Sequence, residues 1–554
     1  MAPRKSATKR NRIIIGADYG TTHSGISICQ TSDSRTSEQH IDVIHNWPAC
    51  HTKISTKEKV PSEVAYLIEG LSWGALIRPE VSRYMWTKLE LDRKPDGEAP
   101  RISREVVQAA NGHKDPVDII ADFLMEVRKH TIVNLDQKFG KQLWRTLPIT
   151  LVITVPAVWS DAAKDRTMQA FDKAGWNSLE FPQLKNTLIA TEPEAAAIYT
   201  IRTLRGTAQN RDFKVGDGFV VCDMGGGTVD LIAYKVTKLK PTQIQEATVG
   251  NGAQCGGTFV DRRFLKFLEL RLGTTDFMSL AGCRSEEVPY SSLAKRASLM
   301  LQNFQQTAKS GFSGDEDYTQ EFKGPLSNIE LDEARGITDG EILLKAEDIR
   351  ETFDSCVGKT FQLLAEQQAR AQENNLDVKY VFLVGGFSES PYMYKRIKEF
   401  IEVKKDIQVI KPSYAWSAVV RGAAAKGLED DKNSVVTQRK ARRHYGTPCS
   451  QTFDMFQHEE HDAYFDSYDG SKRANNQMHW LIFKGQDMQD VKLVTKVKAD
   501  FSDVPEKFFK KKTSKLGKVY CKLDATVNIS LQSALEFYIT VDGKKYGSLT
   551  TEYK

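Results

Sequence analysis

Apolar residues in this chain come in short runs that end at small or acidic residues, and their spacing predicts the elements. Phe219-Val220-Val221-Cys222 leads into Asp223-Met224, then Gly225-Gly226-Gly227-Thr228, and a second apolar run starts at Val229 and continues through Leu231, Ile232 and Tyr234. Two such runs around a glycine turn predict a β-hairpin. The same order appears near the start: Ile13-Ile14-Ile15-Gly16-Ala17-Asp18, then Tyr19-Gly20-Thr21-Thr22, then an apolar run to Ile28. A third run, Tyr380-Val381-Phe382-Leu383-Val384, reaches Gly385-Gly386-Phe387, and residues 392–401 have helical spacing. Residues 151–155 predict a buried strand stopped by Pro156, and residues 161–174 a helix ended by Gly175. Pro193 can open a helix over 194–204, and residues 417–427, with three successive alanines, predict a helix that closes the second of two lobes. Beyond residue 445 the runs become short, β-branched and aromatic, with Asp542-Gly543 as a hairpin turn.

Adjacent glycines allow left-handed backbone and bring bare N–H groups against a ligand that a Cβ would push away, which suits phosphate. An aspartate just before such a turn places a carboxylate beside the phosphates, which is sensible only with a divalent cation between them. One copy alone is also compatible with an ordinary glycine-rich turn. Two copies imply two related lobes, with Asp18 and Asp223 facing one metal-bound polyphosphate from opposite sides.

These three motifs, with Val152-Ile153-Thr154-Val155-Pro156-Ala157-Val158-Trp159-Ser160 and Thr191-Glu192-Pro193-Glu194-Ala195-Ala196-Ala197 between the first two, resemble the nucleotide-binding domain of the seventy-kilodalton heat-shock chaperones. That domain belongs to the actin-like ATPase superfamily. The resemblance covers residues 13–428, and Trp86-Thr87-Lys88-Leu89 and Trp159-Ser160 look like a divergent, atypical branch. It implies an α/β fold: a duplicated actin-like (ribonuclease H-like) two-lobed ATPase domain, then a small mostly-β domain. The expected boundaries are a disordered basic tail at 1–12, lobes at 13–215 and 216–428, a charged linker at 429–444, and a β-rich domain at 445–554 with no segment for a helical lid after Tyr546.

The resemblance also implies roles. ATP or ADP with Mg2+ would be bound, with Asp18, Asp223 and Glu192 holding the metal through water. Gly20, Thr21 and Thr22, and Gly225, Gly226, Gly227 and Thr228, would cradle phosphates, and Gly256 and Gly257 would close over them. Lys88 would reach the terminal phosphate, although a lysine beside an aromatic also suits a snorkelling surface side chain. Glu192 would help position the attacking water, although the helix dipole alone favours a glutamate there. Gln306, Lys309, Ser310 and Ser313 fall where a helix grips the adenosine, and Gly385, Gly386 and Phe387 lie at the base. Here the chain departs from the family: Gln306 and Ser310 replace an acid and an arginine, Phe387 a small polar residue, and Glu389 an arginine that stacks on the base. Base selectivity is therefore expected to be relaxed. The implied activity is a chaperone-like ATPase acting on an unfolded or specific polypeptide, with a co-chaperone or nucleotide-exchange factor. A nucleotide-gated binding protein with little turnover and a small-molecule kinase are the alternatives.

Bulk properties narrow the picture little. A length of 554 residues calls for several domains, and 40% hydrophobic with 27% charged residues describes an ordinary globular chain. A net charge of +5 gives no reason to expect nucleic acid or membrane as a partner, and a monomer is expected. The eight cysteines show no metal-ligand spacing and suggest a reducing compartment. The tail carries Arg4, Lys5, Lys9, Arg10 and Arg12 without an acid and lacks a signal peptide's apolar core, so the cytoplasm is expected, with a nuclear address as the alternative.

Overall fold

The computed structural model describes residues 11–31, 40–50, 53–55, 57–78, 81–92, 114–204, 213–240, 242–288, 294–323, 332–338, 341–403, 406–429, 434–466, 470–488, 496–499, 504–513, 517, 519–524, 526–531, 535–546 and 549–552. Most of the basic tail lies outside these residues. Two compact units are present, Met1–Thr437 and Gln438–Lys554.

The first unit is built on two sheets of like design. In one, strand Ile13–Asp18 pairs antiparallel with His23–Gln30 and parallel with Ile149–Val155, which pairs parallel with Leu184–Thr191. In the other, Gly218–Met224 pairs antiparallel with Val229–Leu239 and parallel with Val378–Val384, which pairs parallel with Gln408–Ile410. Every residue of Ile13–Asp18 and of Gly218–Met224 is buried, because both faces of each sheet are covered. Such strands read as continuous apolar runs rather than alternating ones. Asp18 and Asp223 sit at the ends of their strands, so the turns that follow leave the sheets from equivalent places.

Helices Glu192–Leu204 and Ala418–Gly427 do not respect the expected lobe boundaries. The first was expected in lobe one, but its residues Ala195 to Ile201 share a core with Phe219, Val221, Ile232 and Tyr234 of the second sheet. The second was expected to close lobe two, yet its Ala423 and Ala424 pack on Ile14, Cys29 and Val152 of the first sheet, while Ala418, Val419 and Ala425 join the other core. Ser27 on the first sheet donates to the Val420 carbonyl at 2.6 Å. Small side chains permit this double role: a Cβ on Gly422 would fall 1.8 Å from the Ala195 carbonyl oxygen, so the two helices cross in backbone contact.

The outer part of the second lobe is helical, with Gly257–Leu272, Lys295–Gln306 and Ala346–Glu373 around Phe264, Phe304 and Phe353. The segment expected as a charged linker contains a strand instead, Val436–Lys440. Val435 accepts from the Ile244 amide at 2.8 Å and Val436 is buried in the second-sheet core, so this apolar pair overrides the charged residues around it.

In the second unit, Tyr445–Thr452, Lys472–Ile482 and Ala463–Phe465 form one antiparallel sheet. Thr526–Leu531, Leu535–Val541 and Lys544–Tyr546 form another, with Asp542 and Gly543 at φ 51° and 74° in its turn, as a tight hairpin demands. Among the described residues of this unit, the regular elements are strands and short 3-10 turns.

Candidate functional site

The two glycine turns meet head-on. A Cβ on Gly226 would lie 2.2 Å from Thr22 Oγ1, and one on Gly227 would lie 2.8 Å from Thr21 Cγ2. A third segment stacks behind the second turn, with the amides of Gly256, Gly257 and Thr258 bonded to the carbonyls of Gly227, Gly225 and Gly226 at 3.2, 3.2 and 2.8 Å. These bonds hold the turn's carbonyls on one side. The Gly226 and Gly227 amides have no acceptor among the described residues, an arrangement that makes a nest for an anion.

Four buried carboxylates surround the turns: Asp18, Glu192, Asp223 and Asp230. Asp18 accepts from Lys59 Nζ at 2.7 Å and from Thr154 Oγ1 at 2.9 Å. Burial pushes its pKa up, but the Lys59 and Lys88 ammoniums and these two bonds outweigh burial and hold it below the ordinary value. Asp223 is raised well above the usual carboxylate range by burial and by the charges of Glu192 and Asp230. It has no ion pair among the described residues. Asp230 is raised to about 7, chiefly by burial and then by Glu192, against a 2.8 Å bond donated by Thr228 Oγ1. Lys88 and Glu192 are a hydrogen-bonded ion pair, with the ammonium 5.6 Å from the Trp159 ring centre. Burial lowers Lys88, and the charges of Glu192 and Asp18 more than reverse this, whereas burial and Asp18 raise Glu192 in spite of Lys88. Lys88 is therefore an interior cation rather than a snorkelling one. Its 3-10 turn is tied to the first hairpin by a 2.7 Å bond between the Tyr19 and Thr87 hydroxyls.

The residues expected at adenosine divide into two groups. Lys309 lies near the turns, its Nζ 3.5 Å from a Cβ built on Gly257, and pairs with Asp261 Oδ1 at 2.8 Å. Gln306 and Ser310 are exposed, Ser310 donates back to the Gln306 carbonyl at 2.7 Å, and Ser313 is hydrogen-bonded to Asp315. Gly385, at φ 86°, abuts the second motif: its Cβ would lie 2.5 Å from Asp223 Oδ1. Gly386 lies against Trp416, its Cβ position 2.9 Å from Cδ1 of the indole. Phe387 corrects the expectation made for it: it is 5% exposed and its ring stacks on Phe353 in the core at 6.1 Å, because an aromatic side chain at this position is better removed from water than lining a polar cleft. Glu389 pairs with Lys411 at 3.0 Å.

The sequence reading overlooked Lys59, Thr154, Asp230, His23 and Trp416. Asp230 was legible, being two residues after Thr228 on the same face of its strand. His23 is depressed to about 3 by burial and by Lys59, Lys57 and Lys309, and it meets Trp416 edge-on at 5.8 Å.

The donor set suits a hydrated cation. Among the described residues no three His, Cys, Asp or Glu side chains group closely enough to hold a metal directly, while the raised, unpaired Asp223 is the kind of group that a nearby positive charge would relieve.

The family model described as Hsp70 protein matches residues 102–433. The chain is 24% identical over 503 residues to human Heat shock 70 kDa protein 12A, covering 78% of this chain and 71% of that protein. It is 24% identical over 509 residues to human Heat shock 70 kDa protein 12B, covering 80% and 72%. A match to the Chaperone protein HscA homolog of Acinetobacter baumannii, also 24% identical, covers 49% of this chain and 39% of that protein.

Proposed function

The chain belongs to the Hsp70 family, and from that premise we propose that it is a magnesium-dependent, chaperone-like ATPase whose two lobes close on ATP to regulate a bound polypeptide. The observation that carries this reading is the meeting of the two hairpin turns over buried carboxylates, since one ligand between them touches both lobes at once. Phosphoryl transfer to water needs chiefly positioning and charge neutralisation. A magnesium ion held through water by Asp18, Asp223 and Glu192 would supply neutralisation between these carboxylates and the phosphates. The free turn amides and the hydroxyls of Thr21 and Thr22 would bind phosphate oxygens, while the Thr228 hydroxyl stays bonded to Asp230. Lys88 turns from Glu192 to the terminal phosphate, leaving Glu192 to accept a hydrogen bond from the attacking water. Asp230, close to half-ionised near neutral pH, takes the proton as the new P–O bond forms and the bond to ADP breaks.

The polypeptide would lie on the second unit, where edge strands can accept an extended segment and where Met455 and Phe456 are 75% and 90% exposed. A nucleotide-exchange factor or co-chaperone fits a family member of this kind. The buried free thiols Cys29, Cys222, Cys255 and Cys356 suit the cytoplasm. The exposed positions of Gln306, Ser310 and Glu389 favour weak discrimination among bases.

Calorimetric titration of ATP in magnesium tests the joint grip. One site per chain is expected, and Gly226→Val, which drives a side chain into Thr22, should weaken it by at least about tenfold, or ~1.4 kcal/mol. Unchanged affinity in that variant would remove the basis for the reading.

A further inference from the structure

We propose that Lys59 is a fixed counter-cation for bound phosphate, so that this site holds a nucleoside triphosphate without a divalent metal and requires the metal only for hydrolysis. The proposal rests on the nucleotide reading given above.

Lys59 is delivered to the site by backbone pairing rather than by a flexible loop. Strand Val60–Pro61 pairs with His23 and Ser24, and the next residue locks onto the first turn: the Ser62 amide donates to the Thr22 carbonyl at 2.9 Å and its hydroxyl to the Gly20 carbonyl at 2.8 Å. The two side chains just before the strand diverge. Glu58 pairs with Arg421 at 2.6 Å, whereas the stem of Lys59 crosses Gly25, its Cγ 3.2 Å from where a Cβ would be, and brings Nζ to 2.7 Å from Asp18 Oδ2. Any side chain at Gly25 would crowd that path.

An ammonium carries three donors. Among the described residues Asp18 is the acceptor for one of them, which leaves the other two for oxygens brought by a ligand. Lys59 is 8% exposed, so such contacts form in a water-poor site, where charge-assisted bonds are strong. Charge counting leads to the same place. Four buried carboxylates face two buried ammoniums, and with no ligand bound Lys88 is paired with Glu192. Without Lys59 the phosphates would meet four carboxylates with only the turn amides, Lys88 and Lys309 on their side, and both of these lysines are paired with carboxylates in the ligand-free site. Asp18 already receives bonds on both oxygens, from Lys59 and Thr154. The carboxylate nearest the first turn is thus supplied with a cation by the protein itself.

Calorimetry on the full chain tests this with ATP and with inorganic triphosphate, each in excess magnesium and in EDTA, for the wild type, Lys59→Met and Lys59→Arg. The wild type should bind ATP in EDTA within about tenfold of its magnesium affinity. Lys59→Met should lose at least about a hundredfold in EDTA and less than about tenfold in magnesium, Lys59→Arg should keep most of the metal-free binding, and inorganic triphosphate should repeat the pattern. Retained binding in magnesium shows that the Met variant is folded. Equal EDTA affinities for wild type and Lys59→Met, a parallel loss in both buffers, or a wild type that needs magnesium to bind at all would each overturn the proposal. Failure of the wild type to bind ATP in either buffer would instead overturn the nucleotide reading on which it rests.

Discussion

His23 illustrates how strongly single residues feel this site. It takes up a proton near 6.5 in the unfolded chain but only near 3 in the folded one, because burial and the Lys59, Lys57 and Lys309 charges oppose its cation. The unfolded state therefore binds the extra proton between these values, and folding stability present above pH 6.5 drains away as pH falls toward 3. His23 is only partly shielded from solvent, so water weakens the effect, and a loss of about 1 to 2 kcal/mol between pH 7.5 and 5 is expected. Urea denaturation at the two pH values should show this loss for the wild type and a smaller one for His23→Phe; parallel losses would mean that other groups carry the dependence. Legibility at this scale followed local pattern. Asp18, Asp223, Glu192 and Lys88 stood in motifs, and the structure brings all four around the turns. Lys59 came from a stretch with no period, and only the pairing of Val60–Pro61 with the first hairpin reveals its direction. Phe387 was expected at the ligand because it adjoins Gly385-Gly386, and the structure places its ring in the core, where an aromatic side chain is preferred.

Among the elements, the hairpins and the helices were legible because their apolar runs and stop signals are strong, whereas strands buried on both faces carry no alternation that would announce the register of the hairpins. What the helices pack against was not. Alanine and glycine fit close to any backbone, so nothing in residues 418–427 announces that this helix touches both sheets. The same smallness makes the crossing fragile. Gly422→Val would put side-chain carbons where the Ala195 carbonyl lies, and overpacking of this kind costs about 1 to 3 kcal/mol or more. Thermal unfolding should show a lower midpoint for Gly422→Val than for Val420→Ala on the same helix. A Gly422→Val variant as stable as the wild type would mean that the helices separate freely. The strand at Val436–Lys440 has a similar lesson: two valines with a buried partner outweighed the charged residues that suggested a linker.

At the scale of the whole molecule, the repeat in the sequence predicted two related lobes, and the two sheets share one design. The β-rich nature of the C-terminal unit was also legible, from turn residues and β-branched runs, although its strand pairing was not. Both lobes contribute to one site, and the Glu192–Leu204 and Ala418–Gly427 helices join their cores, so closure on a ligand at the turns would be felt by each sheet. The central claim is that this site hydrolyses ATP. It is tested most directly by a single-turnover measurement, with protein in excess over ATP labelled in the terminal phosphate and with magnesium present. The account predicts first-order conversion of bound ATP to ADP and phosphate, arrest when magnesium is withdrawn, and a rate at least about a hundredfold lower in Lys88→Met with affinity little changed, a loss of ~2.7 kcal/mol of transition-state stabilisation. ATP that stays bound, one per chain, and is converted no faster than in buffer alone would contradict it.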